Sequence, residues 1–153
     1  CGQLDYGNGA LAAATIKTAY NKMNLSFMKA FTSGIMCNIL VCLAVLLAGV
    51  CQDAIGKIFA CFFPIWAFVI AGYEHCVANM YYIPAGLLAK HGEAYYDAAI
   101  SAGMTVEQLD SMTVGKFFLN NLLPVTLGNI VGGVVFVALP LYLIYRNKNK
   151  AEA

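Results

Sequence analysis

From Phe117 to Tyr145 the chain runs FFLNNLLPVTLGNIVGGVVFVALPLYLIY without one charged residue. About 20 helical residues, rising 1.5 Å each, cross the ~30 Å hydrocarbon core of a bilayer. This stretch is long enough to span, and a helix is the single-segment structure that satisfies its own backbone in lipid. A second stretch, Phe27 to Val50, carries Lys29 near its start and then no charge until Asp53. Composition points the same way. Charged residues make up 11% of the chain and hydrophobic residues 61%, whereas a soluble domain carries about 25% charge. That is too little charge to coat a globule in water. The net charge of +1 lacks the clustered basic excess of a nucleic-acid footprint, so no nucleic-acid partner is expected.

The apolar segment Ile58 to Ala89 is less simple. It opens with IFACFFPIWAFVIAG, meets Tyr73, Glu74 and His75, and resumes as CVANMYYIPAGLLA. As one straight helix it would be roughly 48 Å long and would place two ionisable residues near its middle. Such residues are rare in membranes and mark cavities or pathways. Gly72 offers a backbone pivot. The segment therefore predicts two half-helices joined by a break near 72–76. Irregular backbone at that depth survives where protein or a watery cavity satisfies its polar groups. The expected spans are thus 27–50, 58–89 with its break, and 117–145, in an all-α polytopic membrane protein.

Between the second and third spans, Lys90 to Lys116 reads as a solvated, partly helical connection. AYYDAAISA has helical spacing, and Thr105 with Gln108 fits a capping box. The tail after Arg146, with Lys148 and Lys150, favours a cytoplasmic C-terminus, and the acidic 90–116 connection suits the outer side. Lys17, Lys22 and Lys29 pull the other way. The cysteines at 1, 37, 42, 51, 61 and 76 form no CxxC pair; they read as small apolar fillers rather than disulfides or metal ligands. No initiator Met or signal-peptide pattern stands at Cys1, so the chain is expected to continue upstream.

Several residues stand out chemically. The N-terminus of the second half-helix would aim unpaired N–H groups and about half a positive charge into the bilayer centre. Discontinuous helices hold anionic groups in this way in transporters. His75 sits at the break. It either donates a hydrogen bond or a proton to a weak-acid substrate, or bonds a neighbouring carbonyl as a structural residue. Glu74 beside it reads as an internal partner for a backbone N–H or as a subunit contact. In the third span, Gly128, Gly132 and Gly133 make a small face for a neighbouring helix, Pro124 removes a helix hydrogen bond, and Asn129 needs a partner. Asn38 is either interhelical glue or a pathway donor. Phe59, Phe62, Phe63, Trp66 and Phe68 face lipid or core by default. Lys22 alone reads as a solvated interfacial lysine.

GYEHCVANMYYIP, LLPVTLGNIVGG and CNILVCLAV together resemble the formate/nitrite transporter family, in the family's order and over nearly the whole chain. The resemblance implies an aquaporin-like helical bundle of six spans per subunit, each subunit with its own pore, assembled as a homopentamer in the cell inner (plasma) membrane. It implies passage of small monovalent anions such as formate, nitrite or hydrosulfide, with protons as partners. By the same resemblance His75 is the central pore histidine, accompanied by Asn79 one helical turn on and by Glu74. Phe68 and Val41 are apolar constrictions on the cytoplasmic and outer sides, Val41 near Asn38. Lys22 is the outer lysine that draws anions in. Three further spans, one of them broken with a loop facing His75, would precede this chain.

No nucleophile with an orienting base or paired-carboxylate site is present to suggest an enzyme, and neither a cofactor nor a metal is expected. Two alternatives remain at the level of sequence. One is a redox-anchor subunit with His75 and His91 as haem ligands, although His91 lies in the polar connection. The other is a non-transporting structural subunit in which Glu74 and His75 cement helices.

Overall fold

The computed structural model describes residues 2–151, with side chains through residue 147; Cys1 and the side chains of Lys148 and Lys150 lie outside the described residues. All regular structure among the described residues is helical. In chain order the helices are α1 (Ala10–Met23), α2 (Phe27–Val50), α3 (Ala54–Ile70), α4 (Cys76–Ala89), α5 (Glu93–Ser101), α6 (Val106–Asp110) and α7 (Val114–Asn147). Of these, α2 and α7 are long and apolar enough to cross a bilayer, and α3 and α4 are shorter apolar helices. α7 starts ahead of its apolar run because the Thr113 side chain caps it, accepting from the Lys116 N–H at 3.2 Å.

The chain forms two compact units. The first comprises Cys1–Phe27 and Cys76–Pro124. Its centre is the packing of α1 on α4. A Cβ on Gly86 would collide with the side chain of Ala19, and the carbonyl oxygen of Thr15 lies 3.1 Å away, so α4 presents a glycine where α1 crosses it. The small residues of the N-terminal stretch thus have a purpose the sequence does not state: Ala12, Ala13, Ile16, Ala19 and Met23 form the buried face of α1. The 90–116 connection keeps Glu93, Asp97, Glu107 and Asp110 exposed. It is more than a solvated strap, because Ala99, Met104, Leu109 and Met112 enter the same core as Ile16 and Ile83. The Thr105 and Gln108 capping box starts α6, and the Lys90 ammonium closes it by donating to the carbonyls of Leu109 (3.1 Å) and Met112 (2.7 Å). Within the same unit the Tyr95 hydroxyl donates to Asp5 at 2.7 Å, and that bond to a carboxylate raises the Tyr95 pKa.

The second unit comprises Met28–His75 and Val125–Ala153. Here α2 and α7 touch backbone to backbone. A Cβ on Gly128 would collide with the carbonyl oxygen of Phe31, and one on Gly132 with that of Ile35. From the other side, a Cβ on Gly34 would lie 2.8 Å from the carbonyl oxygen of Val125. In lipid, where helices gain little from hydrophobic exclusion, this proximity supplies the dispersion contact that binds them. α3 opens at Asp53, whose side chain accepts from the Gly56 N–H at 2.7 Å. Its aromatic residues Phe59, Phe62, Phe63 and Trp66 are exposed along the helix; Phe59 stacks on Phe63 and Phe62 on Trp66, while Phe62 meets Phe63 edge to face. The five described cysteines are thiols, with Cys37 buried.

Candidate functional site

Gly72 determines where α3 stops. Its φ of 68° lies in the left-handed region that glycine enters without steric cost. The Tyr73 N–H then reaches back to the Phe68 carbonyl (3.0 Å), and the Gly72 N–H to that of Val69 (3.1 Å). This pair of bonds is the Schellman closure, which satisfies carbonyls that a helix end leaves orphaned. Residues 73–75 lie outside both helices, and α4 begins at Cys76, directly after His75.

Irregular backbone in an apolar setting needs partners from elsewhere. The N–H of Glu74 donates to Ser33 Oγ at 3.0 Å. The carbonyl of Glu74 accepts from Asn129 Nδ2 at 3.1 Å. The same Asn129 amide donates to the Gly34 carbonyl at 2.8 Å, while Asn38 Nδ2 donates to the Asn129 carbonyl at 2.6 Å. Side chains of α2 and α7 therefore hold both main-chain groups of the residue before His75. Glu74 is buried at 5% exposure, as is Asn129. The ring of His75 is half-buried, with its centroid 5.8 Å from that of Phe68 and the two planes at 43°. Val41, also half-buried, follows Asn38 by three residues on α2.

A second set of groups lies in the first unit. Asn79, on α4, is fully buried and donates through Nδ2 to Asn121 Oδ1 at 2.8 Å. Asn121 Nδ2 donates in turn to the carbonyl of Lys22 at 2.9 Å. The ammonium of Lys22 lies over the ring of Tyr82, 5.6 Å from its centroid, within cation–π range.

The structure thus brings Asn38, Glu74, Phe68 and His75 of the expected residues into one neighbourhood, with Asn129 as its anchor. Asn79 and Lys22 join a network centred on Asn121. Sequence reasoning passed over Ser33, Asn121, Tyr82 and Lys90. The signal for two of them was available: a serine and an asparagine inside apolar helices must find hydrogen-bond partners there. His91 is exposed at the end of the polar connection, and no group of metal-binding side chains occurs among the described residues.

A family model described as formate/nitrite transporter matches residues 2–143. A probable formate transporter of Methanothermobacter thermautotrophicus is 45% identical over 122 residues, covering 80% of this chain and 37% of that protein. The formate channel FocA of Escherichia coli (strain K12) is 34% identical over 148 residues, covering 97% of this chain and 52% of that protein. Among solved structures, a pentameric formate channel with formate bound superposes with a TM-score of 0.83 at 37% identity, covering 94% of this chain and 56% of that one. The chain spans about half the length of the curated relatives it matches.

Proposed function

Because this chain belongs to the formate/nitrite transporter family, we propose that it contributes part of the wall of a membrane channel for small monovalent anions, with formate as the first substrate and nitrite and hydrosulfide as related ones. The single observation that carries the reading is the anchored interruption at residues 71–75. Its main chain is held by Ser33 and Asn129, leaving a titratable ring directly ahead of the helix that starts at Cys76. An anion is costly to desolvate, and a helix N-terminus offsets part of that cost. His75 supplies a donor or a proton, so that a nearly neutral species passes the apolar side chains of Phe68 and Val41. Glu74 shapes the break through its backbone, and Asn38 and Asn79 keep the flanking helices in register. No covalent chemistry and no cofactor enter the proposal. The working assembly is a homopentamer in the cell's inner membrane, in keeping with the pentameric formate channel that this fold resembles.

The test is selectivity. Reconstituted in liposomes, the channel that carries this chain should pass formate, nitrite and hydrosulfide and exclude sulfate, which carries two charges. Equal passage of sulfate and formate would contradict a weak-acid pathway.

Lys22, in the last turn of α1, would raise the anion concentration at the outer mouth. Fields of this kind change encounter rates by about 10-fold or more and fade as salt screens them. Lys22→Ala should therefore raise the half-saturating formate concentration about 10-fold at low ionic strength and much less in ~0.15 M salt. A loss independent of salt would assign Lys22 to folding instead.

The proposed topology puts Glu107 outside and Lys150 in the cytoplasm. Glu107 is exposed after the Thr105 cap, and hydrogen bonds from its own N–H and from Thr105 lower its pKa, so it is charged at neutral pH. With cysteine placed at 107 or at 150, an impermeant thiol reagent on whole cells should label position 107 alone. Labelling at 150 alone would invert the orientation.

A further inference from the structure

We infer that Asn121 is a positioning residue for Lys22, fixing the end of α1 from which that lysine attracts the anion; the inference rests on the channel reading above. The last carbonyls of α1 have no helical partners of their own. Asn24 covers two of them, donating from its side chain to Tyr20 (2.7 Å) and from its backbone to Asn21 (3.3 Å). The carbonyl of Lys22 is covered from a remote element, by Asn121 Nδ2 at 2.9 Å.

Asn121 is itself fully buried, and both ends of its amide are engaged, since Oδ1 accepts from Asn79. That pairing fixes which way the amide points, because turning it over would set Nδ2 against the Asn79 donor and Oδ1 against the Lys22 carbonyl. Asn121 lies in a π-helical stretch, Phe117–Leu122, where the Leu123 N–H reaches five residues back to Phe118. Pro124 follows and has no N–H to continue an α pattern. The widened turn rotates the residues ahead of it, and such bulges concentrate at functional positions. Tyr82 of α4 meets the far end of the same lysine. The base of Lys22 is thus set by Asn121 and its tip by Tyr82, and the Asn79 end of the amide ties this arrangement to α4, the helix that follows His75.

A purely structural cap would also stabilise α1, so the test must separate positioning from folding. Formate uptake is measured at low and at high ionic strength for the assembled channel, for Lys22→Ala, for Asn121→Leu and for the double substitution. If Asn121 acts through Lys22, each single change raises the half-saturating formate concentration about 10-fold at low salt, and the double change raises it no further. The salt dependence should fall alike in all three. Independent effects that multiply to about 100-fold, or an Asn121 effect unaltered by salt, would overturn the inference while leaving the channel reading intact. A wild-type channel without formate flux would overturn both. If Asn121→Leu does not assemble, Asn121→Ala removes the same two bonds without added bulk and is measured instead. Failure of both to assemble would assign Asn121 to folding and overturn the inference.

Discussion

His75→Asn is expected to leave an assembled, conducting channel whose weak-acid flux no longer follows pH. The substitution should not unfold the break, because the break is held through the main chain of Glu74 by Ser33 and Asn129 and through the glycine closure at Gly72. None of those bonds involves the imidazole. Asparagine keeps an N–H donor toward an anion and takes away proton exchange, since an amide does not titrate in the physiological range whereas histidine does. Wild-type formate flux should vary about tenfold between pH 5 and pH 8 beyond the change in formic acid concentration. The variant should vary less than about twofold over the same range. Flux is read in liposomes against pH, with assembly checked by size. An unchanged profile in a well-assembled variant would make His75 structural cement.

Gly128→Val should prevent the channel from assembling. The added Cβ would meet the carbonyl oxygen of Phe31, a backbone atom that has no rotamer to escape into. α2 and α7 would have to part, and the bonds from Asn129 to Gly34 and Glu74, and from Asn38 to Asn129, would be lost with them. Overpacking alone costs about 1–3 kcal/mol, and buried amides left without partners add about 1–3 kcal/mol each. Thermal stability and size of the solubilised protein report the result. Gly49→Ala is the matched control, because nothing lies within 4 Å of a Cβ there. A Gly128→Val protein with the control's melting temperature and size would show that the close α2–α7 approach does not hold the fold together.

The all-helical class was legible because lipid leaves few choices: past Lys29, Phe27–Val50 carries no charge, and it forms one helix over those residues. The interruption was legible at Gly72 because a glycine beside two ionisable residues contradicts a straight span, and the helices end at Ile70 and resume at Cys76. What sequence could not supply was partnership between distant residues. Asn129 declared a need for hydrogen bonds without saying that it would hold Glu74, 55 residues away. Ser33 looked like an ordinary small residue in a span. Asn121 sat inside the uncharged run 117–145, yet its link to Lys22 joins residues 99 apart through a π-helical turn that periodicity does not reveal. The same limit hid the role of α1. Its alanines carry little amphipathic signal, and their function as a flat surface appears once Gly86 of α4 lies against Ala19.

The central claim is that a small carboxylate passes His75. The most direct measurement is a structure of the assembled channel determined in saturating formate. The account predicts density for a formate-sized group within about 3.2 Å of a His75 ring nitrogen, with Glu74 still held by Ser33 and Asn129. Formate density confined to other parts of the pore, with both His75 ring nitrogens bonded to protein, would contradict it.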